Sequence, residues 1–367
     1  MDYQQLLQDV YFVMLCGGVT LLGVAAALFL LFRKANAIAP DVTSPVRLRR
    51  WAAAFLLAVA LSHVWWMIAA NSIDSQADMM TAYWIVCFLD VITMLPTMMG
   101  TLLAMLQDRR RPFWPVCVSL LPVFALSGIY FLRADMSVIL PLRIYLLVLI
   151  VLFTLYIVFA VRRYGRWLQD NYVDLEHKEI RLSLLVLAVF LIFFVIYENS
   201  DTGLVVTYLL QVDVLVLIGL LLWRVETLQE LNSGALPEED PAEAERMAAS
   251  TLIPANIGPL LEKKCEAAQL YLQHDLTLAQ LAQTIGTNHS YLSRFFAQQG
   301  LTYNAYINGL RIRHFIRLYH EAVSERRIFT AQQLAFESGF HSYSTFAASF
   351  KQVTGQTVSA WMRDPDK

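Results

Sequence analysis

The residues that first suggest chemistry are His63, Asp90 and Asp213, three ionisable groups set inside long apolar runs. A charge at the centre of a bilayer costs roughly 2.5 kcal/mol or more, so such groups are candidates for sensing or transport. Counted from one end of their runs, they lie seven, eight and nine residues in. At 1.5 Å per residue that is about 10–14 Å deep. A cluster at that depth could receive an external small molecule or cation. The competing reading is a buried His–Asp pair that holds helices together.

A second group lies near the other end of the chain. Tyr291, Ser293, Arg294 and Gln298 form one polar face, opposite apolar Leu292, Phe295 and Phe296. A guanidinium such as that of Arg294 can bond guanine O6 and N7 together, so this face suits the reading of a DNA edge. Catalysis has nothing comparable. The chain contains no Ser/His/Asp arrangement, phosphate loop, HExxH or CxxC pattern, which excludes the common enzyme classes from the expectation. Cys16, Cys87, Cys117 and Cys265 lack metal-ligand spacing and read as small apolar packing residues. No metal or cofactor is expected.

The apolar half must position the first group. Hydrophobic residues make up 57% of the 367 and charged ones 16%, an unusual balance for one soluble globule. Seven runs approach the ~20 residues needed to cross a bilayer: 11–32, 51–70, 82–106, 113–132, 140–161, 182–197 and 204–223. The first run lacks a basic leader and is too long for a signal-peptide core, so it reads as a retained span. Three connecting loops hold thirteen Lys or Arg: Arg33, Lys34, Arg47, Arg49, Arg50, Arg109, Arg110, Arg111, Arg162, Arg163, Arg166, Lys178 and Arg181. The opposite loops hold only Arg133 and Arg143. Basic loops stay cytoplasmic, which predicts a multi-pass protein of the cytoplasmic membrane with its N-terminus outside and its C-terminus inside.

Residues 225–255, with LNSGALPEEDPAEAE, read as an acidic linker. Just before it, Leu221, Val225 and Leu228 are spaced to extend the last span, either as a stripe that pairs with a second copy or as a fraying helix end.

Residues 256–367 read as a soluble, all-helical domain. Thr277 caps a helix with apolar Leu278, Leu281, Ala282 and Ile285; Gly286 ends it; a second short helix follows, capped by Asn288 or Ser290. That is a helix-turn-helix pattern. It recurs: Leu281-Ala282 and Gly286 return as Leu334-Ala335 and Gly339, and Leu292 and Phe296 as Phe346 and Phe350. The second copy carries one extra residue near Phe340. A connecting helix from Tyr303 to about His320 would span roughly 27 Å, close to the ~34 Å between successive major grooves. From Asn256 onward eleven Lys or Arg face eight Asp or Glu. Arg294, Arg311, Arg313, Arg317, Arg326, Arg327 and Lys351 lie in or between the two units, where phosphate neutralisation would add salt-sensitive affinity.

The stretches LTLAQLAQTIGTNHSYLSRFFAQQG, NGLRIRHFIRLY and LAFESGFHSYSTFAASFKQVTGQTVSAWMR resemble the DNA-binding domain of AraC/XylS-type transcription activators. The resemblance implies recognition helices beginning near Asn288 and Ser342. It places Ser290, Ser293 and Arg294, then Tyr343, Ser344, Thr345 and Ala348, toward bases. With neighbouring positions the expected DNA-contacting set is Asn288, His289, Ser290, Tyr291, Ser293, Arg294, Arg311, Ser342, Tyr343, Ser344, Thr345 and Lys351. Ala347 and Ala348 stand where the family usually has polar or basic residues, Val358 replaces a common proline, and Phe315 replaces a small residue.

The expected architecture is therefore all-α: a seven-span transmembrane bundle (1–224), a linker (225–255) and a double helix-turn-helix domain (256–367). The expected function is a membrane-bound DNA-binding transcription regulator that is no enzyme. Its partners are double-stranded DNA, the bilayer, RNA polymerase, a second copy, and an unidentified small-molecule or cation signal. The alternatives are a precursor released by proteolysis in the linker, or a transporter-like protein with a regulatory tail.

Overall fold

A computed structural model describes residues 9–33, 35–71, 76–109, 111–133, 136–175, 178, 183–198, 203–231 and 257–363. Lys34, Arg110, Arg181 and linker residues 232–255 fall outside this set. Among the described residues the regular structure is helical throughout, apart from one isolated bridge between Tyr172 and Thr277.

The chain divides into two compact units, residues 1–164 with 180–231, and residues 165–179 with 232–367. In the first, α1 (Val10–Phe32), α2 (Val46–Asn71), α3 (Gln76–Ala104), α4 (Trp114–Ser119), α5 (Leu121–Arg133), α6 (Ile139–Asn171, which continues into the second unit), α7 (Ser183–Glu198) and α8 (Leu204–Thr227) follow in order. Helices α1, α2 and α3 pack in sequence, and α8 closes the group against α7, α1 and α2. Gly100 lets α3 approach α2 closely: a Cβ there would lie 2.3 Å from the Trp51 ring. The ring itself lies tilted against that of Phe113, with the centroids 4.5 Å apart.

Among the described residues six segments are long and apolar enough to cross a membrane, against the seven expected. The difference is α7, whose 16 described residues rise only about 24 Å against a ~30 Å hydrocarbon layer. The residues flanking it on both sides lie outside the described set. The span at 114–133 is interrupted at Leu120, between α4 and α5. Pro122 explains the break, because it has no N–H to return to the carbonyl one turn earlier. Helix α6 carries exposed Leu147, Leu152, Leu155 and Phe159, apolar surface of the kind that faces lipid.

The stripe of Leu221, Val225 and Leu228 is buried within its own unit, each residue fully covered. It is neither a frayed end nor a surface open to a second copy. Glu226 fixes the same turn by accepting the backbone N–H groups of Ala37 and Ile38 at 3.0 and 2.8 Å. Gln107 holds the following residues through Gln229 O and Leu231 N.

The second unit contains α9 (Ile257–Leu261), α10 (Leu278–Ile285), α11 (His289–Gln298), α12 (Tyr303–Ser324), α13 (Ala331–Glu337), α14 (Tyr343–Thr354) and α15 (Val358–Met362). Two apolar cores lie along α12. Tyr303, Ile307 and Leu310 enter the first, with Leu281, Leu292 and Phe296. Ile312 and Phe315 enter the second, with Leu334, Phe340, Phe346 and Phe350. Phe315 is core: its ring meets those of Phe346 and Phe350 at 4.5 and 5.6 Å.

Candidate nucleic-acid interface

The two helix pairs are built by the same local devices. Thr277 caps α10, accepting the N–H of Gln280, whose side chain returns to the Thr277 N–H; Thr330 and Gln333 do the same for α13. Such reciprocal boxes satisfy two otherwise orphaned donors at the helix start. The signal was present as T-x-x-Q at 277 and 330, although periodicity alone had indicated only the first threonine.

The turns match as well. Thr287 N–H bonds Ala282 O at 2.9 Å, and Phe340 N–H bonds Ala335 O at 3.1 Å. Gly286 and Gly339 have φ of +80° and +90°, where side-chain-bearing residues are strained. Gly339 has a second reason to be glycine: a Cβ would sit 2.9 Å from Leu272 Cα and O and 3.1 Å from Arg311 Nε. The second helices then start on side-chain caps, Asn288 to Ser290 N–H and Ser342 to Thr345 N–H. Asn288 and Ser342 are thus engaged in capping.

With α11 and α14 so fixed, each buries one face. Leu292 and Phe296, and Phe346 and Phe350, point into the cores. His289, Ser290, Tyr291, Ser293 and Arg294 lie half-buried along α11, with Tyr291 resting partly on the first core. On α14, Tyr343, Ser344, Ala348 and Lys351 are exposed and Thr345 is half-buried. Helix α12 has 22 residues, four more than expected, and is about 33 Å long at 1.5 Å per residue.

Arg311 stands apart from this set. It is 2% exposed and donates from Nε to Tyr271 O at 2.7 Å and from Nη2 to Gln273 O and His274 O at 2.6 and 3.3 Å. Its guanidinium also lies over the Phe340 ring. Burial pulls its pKa down to about 10, which still leaves it charged at neutral pH. Arg311 therefore ties the start of the domain to the second helix pair. Sequence position could not separate it from the surface arginines of α12.

A segment far away in sequence joins the same unit. Val173 is a buried member of the first core. Asn304 Nδ2 donates to Tyr172 O at 3.2 Å and also to Val173 O. Asn171 Nδ2 donates to Trp167 O, which leaves its Oδ1 to accept from His289 Nε2 at 2.7 Å. His289, an expected DNA contact, is thus engaged by the stretch that follows the fifth apolar run. No periodicity signalled this contact.

His63, Asp90 and Asp213 share no hydrogen bond with one another and are met by different partners. His63 Nδ1 meets Thr20 Oγ1 at 2.9 Å. Asp90 accepts from Trp65 and Trp66 Nε1 at 2.8 and 2.9 Å, and from the Tyr197 hydroxyl. Asp213 Oδ2 is buried without a hydrogen-bond partner.

Comparison with known proteins bears on the second unit alone. A profile of the helix-turn-helix domain family matches residues 281–364. An uncharacterized HTH-type transcriptional regulator of Staphylococcus aureus strain MRSA252 is 32% identical over 101 residues, covering 27% of this chain and 13% of that protein. Its counterpart in strain COL is 31% identical over 101 residues, with the same coverage. The chain thus spans a small part of the length of these relatives. No solved structure matches it. Residues 281–364 form a helix-turn-helix domain of the AraC type, and over 101 residues the chain is similar to an HTH-type transcriptional regulator.

Proposed function

We propose that the chain is a membrane-bound, sequence-specific regulator of transcription. In this reading a membrane domain (1–224) receives a signal, and a DNA-binding domain (256–367), joined by a linker (225–255), acts on double-stranded DNA. The observation that carries it is the duplication: two helix pairs with matching caps and turns, on either side of one ~33 Å helix. The base-reading residues are Ser290, Ser293 and Arg294 on α11 and Tyr343, Ser344 and Thr345 on α14, with Lys351 toward phosphate. Activation, and with it RNA polymerase as a partner, comes from the AraC resemblance. The thirteen-to-two distribution of basic residues between alternate loops supports a cytoplasmic membrane location, with the N-terminus outside and the DNA-binding domain in the cytoplasm.

The segment 171–174 supports a tethered rather than a released regulator. It continues from α6, contributes Val173 to the first core and holds His289. A fragment freed by cleavage in the linker would leave Val173 behind. The test is duplex binding by the full-length protein in lipid nanodiscs, using fragments recovered by genome-wide mapping. Affinity should be fragment-specific and should fall steeply with salt, with a log–log slope near −0.9 per phosphate neutralised. Equal affinity for every duplex, or none at all, would remove the reading.

A further inference from the structure

Within the first unit, a cavity of about 110 Å³ lies among α1, α2, α3, α7 and α8. An apolar cavity of about 150 Å³ holds benzene, so this smaller one has room for no more than a single small ring. Its wall suits such a ring, with Phe12, Trp66, Phe193 and Tyr197 around it. The cavity is not purely apolar, however, because Gln211 and His63 also line it.

The polar groups differ in what they still need. Gln211 is 3% exposed and its Oε1 has no hydrogen-bond partner. A buried acceptor left unpaired is unfavourable, and a ligand that donates to it removes that penalty. Thr20 Oγ1 spends its proton on Cys16 O at 2.7 Å, so it accepts from His63 Nδ1–H. In the neutral ring His63 Nε2 is then a second acceptor. The nearby carboxylate of Asp90 is not part of the cavity wall. Asp90 is already supplied by Trp65, Trp66 and Tyr197, and the Tyr197 hydroxyl is thereby used. What the cavity lacks is a neutral donor.

We propose that this cavity binds a ring-sized, uncharged apolar molecule carrying one hydroxyl donor, of the phenol class, with Gln211 Oε1 as its principal acceptor. This deepens the regulator reading and rests on it for any role as signal. The cavity lies toward the start of α1 and α8 and the end of α2 and α7, the side that the loop charges assign to the exterior.

The experiment is ¹⁹F NMR titration of the full-length protein in nanodiscs, with empty discs as the control. The probes are 4-fluorophenol and 4-fluorotoluene, which share a shape and differ in the donor. The phenol should bind about tenfold more tightly, the factor expected from satisfying one buried acceptor. Gln211→Leu should abolish that preference while still binding the toluene, and Val214→Phe, which fills the cavity, should lose both probes. Equal binding of the two probes by the wild type, or an unchanged preference in Gln211→Leu, would overturn the proposal. The readout does not involve DNA, so a chain that bound duplex but neither probe would leave the regulator reading standing. A chain that bound the phenol and ignored every duplex would do the reverse.

Discussion

Arg294 and Arg311 are the same side chain in opposite surroundings. Arg294 lies half-buried on the polar side of α11, whereas Arg311 is enclosed and spends its donors on three backbone carbonyls. Arg294→Ala should weaken specific duplex binding by ~1–3 kcal/mol, seen as fluorescence anisotropy, and lower the melting temperature less than Arg311→Ala does. Arg311→Ala should destabilise the domain by about 3 kcal/mol, because buried carbonyls lose their donors and a packed side chain is removed. Thermal unfolding followed by tryptophan fluorescence separates the two; an Arg311→Ala protein with unchanged unfolding would contradict the assignment. Cys265 is fully enclosed, and burial pushes its thiol up to about 12. Since the thiolate is the nucleophile, iodoacetamide at pH 8 should alkylate it at least ~100-fold more slowly than a free thiol. Peptide mass spectrometry before and after denaturation measures this.

At the scale of elements, the helix pairs depend on their turns as much as on their helices. Gly339 combines a left-handed backbone with contact against Leu272 and Arg311. Gly339→Ala should therefore cost about 2 kcal/mol or more, strain and overpacking adding together. Gly286 shares the conformation but has open space around its Cβ position, so Gly286→Ala should cost roughly 1 kcal/mol, from the backbone strain alone. Thermal melts of both variants test the ordering, and a Gly286 variant less stable than the Gly339 one would refute the packing argument. Between α2 and α3, Gly100→Ala should displace the Trp51 ring and lose ~1–3 kcal/mol, read as a lower melting temperature in detergent.

For the molecule as a whole, the decisive property is which side of the membrane each end occupies. Among the described residues, six long apolar segments and one shorter helix leave the C-terminus on the side opposite the N-terminus if all seven cross, and in the proposed orientation that side is the cytoplasm. A fluorescent-protein fusion at the C-terminus should glow and an alkaline phosphatase fusion there should be inactive. The opposite pair of results would mean that α7 does not cross, or that the orientation is reversed.

Helix content, the paired helix-turn-helix pattern and the aromatic cores were legible in the sequence because caps, glycine turns and apolar spacing act over three to seven residues. Leu281, Gly286, Leu292 and Phe296 each reappear one unit later, so even the topology of the domain could be read. Tertiary structure alone decided which polar groups find partners. Arg311 meets carbonyls 37–40 residues away, and Asn304 meets Tyr172 and Val173 across more than 130. Leu221, Val225 and Leu228 turn inward, while Gln211 keeps an acceptor unused. The physical reason is that periodicity fixes which face a residue shares with its neighbours, and only packing between distant segments fixes what that face meets.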